Sequence, residues 1–177
     1  MATAVASKNF VKLYNSAVSD EATVVEGDLD LRGLQINELP DNLKVGGDLI
    51  LAETNITQLP NNLEVGGTLY LYGLQINELP DNLKVGGDLN LEGLPISTLP
   101  NTLNVGGDLN LRNTSISSIP ANLNVGGNLN LRNTSISSIP ANLNVGGGIN
   151  LLDTFIKSKD DIPSTAKIDG PIIMISP

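Results

Sequence analysis

VGGDLNLRNTSISSIPANLN (residues 105–124) is followed without a gap by VGGNLNLRNTSISSIPANLN (residues 125–144), and the two differ only in Asp108 against Asn128. A phrase of 20 residues is too short to bury an apolar face alone, so its return at fixed spacing specifies stacked coils that bury one another. Upstream the same phrase reads VGGDLNLEGLPISTLPNTLN (85–104), VGGTLYLYGLQINELPDNLK (65–84), VGGDLILAETNITQLPNNLE (45–64) and VEGDLDLRGLQINELPDNLK (25–44). Downstream, VGGGINLLDTFIKSKDDIP (145–163) begins a seventh copy stretched by three residues. IDGPIIMISP (168–177) supplies a truncated eighth, in which Ile168 and Gly170 match Val145 and Gly147.

Within each unit V-G-G-x-L-x-L alternates with period two, which places Leu49 and Leu51 inward and Asp48, Ile50 and Ala52 outward. Seven equivalent strands, residues 28–32 through 148–152, are expected to stack as a parallel sheet. Equal, same-handed connections make the coil right-handed, with rungs about 4.8 Å apart and a rod on the order of 40 Å long. After the strand come one inward Ile (Ile36, Ile56, Ile76, Ile96, Ile116, Ile136), then Leu-Pro or Ile-Pro, then an inward Leu such as Leu43 or Leu63. Proline fixes φ and lacks an amide donor, so this return is extended or turn-like rather than helical. The Gly pair, as at Gly46 and Gly47, marks a bend needing positive φ or close approach of the next coil. No Gly-Lys-Ser/Thr follows it, which sets aside a phosphate loop.

The pattern G-x-x-L-x-L-x-x-T-x-I-x-x-L-P-x-x-L resembles the leucine-rich repeat, and more narrowly its short 20-residue bacterial class and similar V-G-G-x-L-x-L arrays of bacterial and bacteriophage proteins. The resemblance spans roughly residues 23–175 and implies a β-rich solenoid of about eight leucine-rich-repeat-like coils. Two departures bear on the cross-section. The family's ladder Asn is here Thr54, Thr114, Thr134 or Thr154, or else Leu34, Leu74 or Leu94. Gly also replaces the family's first Leu, which thins one corner and leaves a three-sided β-solenoid as the alternative.

Open stacks expose an apolar core and unpaired strand edges, so the ends are read first as caps. Residues 1–22 are expected to form a capping helix, N-capped by Ser7 and presenting Phe10, Val11, Tyr14 and Val18 on one face; a partner-binding helix is the alternative. Residues 23–157 are the tandem repeats, and residues 158–177 an irregular last repeat with a C-terminal strand cap. There GPIIMISP either closes the stack, with Pro171 and Pro177 blunting further pairing, or joins two copies as a homodimer.

The chain contains no Cys, His or Trp, which removes disulfides, thiol nucleophiles, His-based triads and Cys/His zinc sites. Asp160 and Asp161 lie in the KSKDD insertion without a nucleophilic companion, so no enzyme is expected and no cofactor is implied. Ten Lys and Arg against 19 Asp and Glu give a net charge of −9, which disfavours nucleic acid and anionic lipid as partners. Mimicry of DNA by an acidic rod is a further reading, diluted by arginines on the same face. No run approaches the roughly 18 apolar residues of a membrane span and no secretory block is present, which predicts a cytoplasmic protein, with delivery into a host cell left open.

Outward positions form columns. Asp28, Asp48, Thr68, Asp88, Asp108 and Asn128 stack carboxylates that need compensation, from nearby backbone or from calcium. Asn90, Asn110, Asn130 and Asn150 are expected to form a ladder of side-chain amides. Tyr70 and Tyr72 stand side by side on one rung, with Ile50 on the rung before, Asn90 and Glu92 on the rung after, and Arg112 and Arg132 farther along. Exposed Tyr and Arg are enriched where binding energy concentrates. Ordinary cross-rung packing of Tyr on Ile is the competing explanation.

These residues predict a non-enzymatic module that binds a partner protein through Ile50, Tyr70, Tyr72, Asn90, Glu92, Arg112 and Arg132. The bacterial and viral resemblance implies a host defence or signalling factor, inhibited by occlusion. A glycan-binding or adhesion protein is the alternative, since Tyr beside Asn and Asp suits sugars. Ice binding is disfavoured by the mixed Asn, Asp and Arg columns.

Overall fold

The computed structural model describes residues 22–174, and these form a parallel β-solenoid of about eight coils. Of the expected N-terminal capping helix, residues 1–22, all but residue 22 lie outside the described residues, and residue 22 is not helical. Within them the only helical turn is a 3₁₀ segment, Lys159–Asp161.

Each coil contributes to two sheets rather than the single sheet expected from sequence. The anticipated one, here the leucine sheet, holds eight strands from Leu29–Asp30 to Ile172–Ile173. A second, the valine sheet, holds eight from Val24–Val25 to Lys167–Ile168. Its origin is the residue pair ahead of the glycines, as in Lys44–Val45, where Lys44 is exposed and Val45 is buried. That alternation continues the period-two pattern backwards through the glycine corner, and β-branched Val suits a half-buried strand.

Both sheets keep a register of one unit: Leu49 lies beside Leu69, and Val65 beside Val85. The leucine-sheet ladder runs past its two-residue strands, with Leu31 N–H donating to Ile50 O at 2.9 Å and Gly33 N–H to Ala52 O at 3.1 Å. At the seventh coil Asn144 pairs with Lys167 and Val145 with Ile168, a step of 23 residues. The three extra residues leave as the exposed 3₁₀ turn, capped by Ser158, whose hydroxyl accepts Asp160 N–H while Asp161 accepts Ser158 N–H. The C-terminal strand Ile172–Ile173 pairs with Ile149–Asn150 and ends the leucine sheet.

The core is one continuous apolar column. Leu29, Leu49, Leu69, Leu89, Leu109 and Leu129 are fully buried, and the Val45, Ile56, Leu63 and Leu51 series are buried with them. The return segments form the third side. They make single rung-to-rung bonds, such as Asn55 N–H to Ile36 O at 3.0 Å and Ser135 N–H to Ile116 O at 3.0 Å, without a regular strand.

Positive φ recurs at one corner: Gly33, Glu53, Gly73, Gly93, Asn113, Asn133 and Asp153. Gly, Asn and Asp tolerate this left-handed conformation, and Glu53 is the exception. The next residue closes the turn through its own backbone, so Leu74 N–H reaches Leu71 O at 3.2 Å just as Thr54 N–H reaches Leu51 O at 3.2 Å. Threonine adds a hydroxyl bond to the same carbonyl, 2.8 Å from Thr54 and 2.7 Å from Thr114. Leu and Thr therefore alternate at this position without altering the coil.

The glycine pairs serve close approach, not positive φ. A Cβ on Gly106 would stand 2.9 Å from the Gly86 carbonyl carbon and closer still to its oxygen. Gly27, in the first described coil, has no atom of the described residues within 4 Å of such a Cβ. Gly106→Ala is expected to lose about 1–3 kcal/mol of stability in urea unfolding, whereas Gly27→Ala stays within about 0.5 kcal/mol of the parent. Equal losses at the two sites would remove backbone contact as the reason for the pair.

Candidate functional site

Among the outward columns, the first is a device of the fold. Asp28 Oδ1 accepts Asp48 N–H at 2.8 Å, Asp48 Oδ1 accepts Thr68 N–H at 2.7 Å, Asp88 Oδ1 accepts Asp108 N–H at 2.7 Å and Asp108 Oδ1 accepts Asn128 N–H at 2.6 Å. Each side chain caps an amide of the following coil. Charge-assisted bonds of this kind supply the compensation that stacked carboxylates need. Among the described residues no group of three His, Cys, Asp or Glu is placed to hold a metal ion.

The middle column departs from expectation. Its asparagines do not form an amide ladder; Asn90, Asn110, Asn130 and Asn150 each turn back onto their own strand and accept the backbone N–H two residues on, at 3.0–3.1 Å. This Asx geometry satisfies an amide facing solvent and holds the next outward side chain in place. Amide ladders run elsewhere, at Asn42–Asn62–Asn82 and Asn104–Asn124–Asn144.

Tyr70 and Tyr72 do project outward, at 42% and 81% exposure. With Asn90, Glu92, Leu71 and Leu94 they line a surface hollow of about 410 Å³. Four of the seven predicted binding residues therefore meet at one place. Ile50 pairs in register with Tyr70 from the preceding rung and is half-buried, so part of the Tyr70 surface is spent on cross-rung packing.

Strand pairing continues through the hollow, with Tyr70 in register beside Asn90. Leu51 N–H donates to Tyr70 O at 3.0 Å and Leu91 N–H to Asn110 O at 2.8 Å.

Glu92 is held from the far side by the next coil. Asn110 Nδ2 donates to it at 3.1 Å, Asn113 Nδ2 at 3.5 Å, and the Arg112 guanidinium lies at 3.5 Å. Arg112 is thus an anchor for Glu92 rather than an open contact, and Arg132 is likewise paired, with Asp153 at 3.2 Å. Sequence placed both arginines on the right face, but not their partners, because these come from the corner and the third column of adjacent coils.

On the valine sheet a second charged row runs Lys44, Glu64, Lys84, with Glu64 3.3 Å from Lys44 and 2.8 Å from Lys84. Hydrogen bonds from Lys84 and Lys44 hold the Glu64 carboxyl below the usual carboxylate range.

No protein-family description, curated protein or solved structure matches the chain. No helix among the described residues is long and apolar enough to cross a membrane.

Two stability tests follow from these rows. Asp88→Ala removes the acceptor of Asp108 N–H and is expected to cost about 1 kcal/mol, while Asp88→Asn, the residue already at 128, keeps the bond and most of the stability. Urea midpoints that fall equally for both variants would deny the capping role. For Glu64, a lowered folded pKa means its contribution is complete above the unfolded value of about 4.3 and fades as pH falls through the folded value. The difference between parent and Glu64→Gln, at most about 1 kcal/mol for such exposed pairs, should hold from pH 7 to 5 and shrink toward pH 3. A difference that grows on acidification has the wrong sign.

Proposed function

We propose that this chain is a non-enzymatic binding module that docks a partner protein on the outward face of its leucine sheet, with Tyr70 and Tyr72 at the centre of contact. The observation that carries this reading is the exposed tyrosine pair beside a hollow of about 410 Å³, on a face whose other side chains are tied down by intrachain bonds. Tyrosine brings large contact area at little conformational cost, and a rigid ladder beneath it removes the ordering penalty that usually weakens association. Eight rungs span on the order of 35–40 Å at about 4.8 Å each, long enough for a standard interface of about 800 Å² per partner. The resemblance to short leucine-rich repeats of bacteria and phage supports a host defence or signalling factor as the partner, inhibited by occlusion.

Glycan binding is the second reading, favoured by tyrosine faces next to an amide and a carboxylate. It is the weaker one, because Asn90 Oδ1 and both Glu92 oxygens already accept bonds from the chain itself. Sugar recognition needs polar groups free to turn toward hydroxyls.

Immobilised parent protein is expected to retain a defined partner from the native host at least tenfold better than Tyr70→Ala/Tyr72→Ala, with unchanged thermal unfolding. Equal retention by the folded double variant discards this face. A positive glycan array with no retained protein moves the assignment to the second reading.

A further inference from the structure

The charge of the leucine-sheet face is one-sided. Its three arginines are all consumed by acids of the same face: Arg32 by Asp30 at 3.4 Å, Arg112 by Glu92 at 3.5 Å and Arg132 by Asp153 at 3.2 Å. Three further acids on the coils flanking the tyrosine rung have no such partner. Asp48 and Glu53 lie on the coil before it and Asp88 on the coil after it, and among the described residues none of the three makes an ion pair. The Asp48 and Asp88 carboxylates each use one oxygen as a backbone cap.

From this we infer that the Tyr70–Tyr72 hollow receives a cationic side chain, arginine or lysine, from a basic surface of the partner. The inference rests on the docking reading above and narrows it to one chemistry. Both halves of a cation site are present: tyrosine rings whose faces attract cations, and the Glu92 carboxylate, which lines the hollow with them, while Asp48, Glu53 and Asp88 on the adjoining coils add to the negative charge of the face. Leu71 and Leu94 floor the hollow and suit the aliphatic stem of a long side chain. A guanidinium fits best, since its planar, weakly hydrated head stacks on tyrosine while its edges donate to acceptors.

Glu92 completes the arrangement. Its carboxylate borders the hollow and is fixed by three donors from the following coil, so it need not be reorganised when a cation arrives. The nearest competing cation is Arg112, which approaches from the coil beyond Glu92 and not from the tyrosine coil. An acidic partner segment would instead meet Asp48, Glu53, Asp88 and Glu92 at close range, and the net charge of −9 adds long-range repulsion.

The test uses the whole chain, ¹⁵N-labelled, titrated with acetylated and amidated tripeptides Gly-Arg-Gly, Gly-Lys-Gly, Gly-citrulline-Gly and Gly-Glu-Gly. Arginine and lysine peptides are expected to shift the amides of Tyr72, Asn90 and Glu92 saturably, with apparent affinity falling severalfold between 20 and 200 mM salt. Tyr72→Ala, and separately Glu92→Gln, are expected to weaken binding at least threefold while the remaining spectrum keeps its dispersion. Citrulline binding as well as arginine, or glutamate binding at all, overturns the cation assignment. So does silence from the arginine and lysine peptides. If partner retention still depends on the tyrosine pair in either case, the cation chemistry alone fails and the docking face stands; if that dependence is also lost, the face itself is wrong.

Discussion

Backbone touching backbone at the glycine corner is the contact on which the rest of the molecule depends. The Cβ that any other residue would carry at Gly66, Gly86, Gly106, Gly126 or Gly146 would collide with the carbonyl of the coil before it. Because the corner closes to that distance, both flanking sheets reach ladder spacing at once: the valine pair on one side and the leucine pair on the other. A register of 20 follows, and with it the alignment of every equivalent side chain into a column. The apolar columns then bury one another, which no single coil of this length does alone. Bulk at the corner would open both sheets together, so it is a shared hinge of the architecture and not a local turn.

Stacking like on like serves an apolar interior and penalises a charged exterior. The chain answers this differently in each column. At 28, 48, 88 and 108 the acid is aimed at the next coil's amide, so repulsion between neighbours is offset by a bond that exists only when they are stacked. Thr68 and Asn128 continue that column without charge, and Asn128 still caps Gly148 N–H at 2.8 Å. At 44, 64 and 84 the sign alternates instead, and each neighbour is an attraction. Where asparagines repeat, the amide bonds either its own strand or its neighbour, depending on whether a free backbone N–H lies two residues ahead.

Much of this was legible because a repeat reports the same constraint many times. Leu49 and Leu51 facing inward, Tyr70 and Tyr72 facing outward, the extra length after Thr154 and the match of Ile168 to Val145 all follow from period two within period 20. The second sheet was not read, because a lone Val beside Lys or Asn shows too little alternation to mark a strand, and only the phasing across Gly-Gly reveals it. The left-handed corner carried a usable signal, Gly, Asn or Asp at six of seven positions, obscured by Glu53. The bonding of the asparagine column was beyond sequence, since an Asn can reach sideways to position i+20 or forward to i+2, and the choice depends on whether the sheet already uses the i+2 amide. The same holds for Arg112 and Arg132. Sequence put them on the face, but whether an arginine there is open or spent depends on acids 20 or 21 residues away.

How outward residues vary along the rod bears on where specificity lies. Coils 105–124 and 125–144 differ at one position and so present nearly the same surface twice, about 4.8 Å apart. A partner reading that stretch meets an almost translationally uniform wall, which is poor at fixing register because a slip of one rung costs little. The coils from 45 to 104 share nearly the same buried residues but differ outward, as Ile50, Tyr70 and Asn90 in one column and Ala52, Tyr72 and Glu92 in the next. There the surface offers a landmark, and it is there that the hollow opens beside Tyr70 and Tyr72. Uniform coils lend length and stiffness; the irregular ones have the asymmetry that recognition requires, and a site centred on Tyr72 is where a rod of repeats stops being interchangeable with itself.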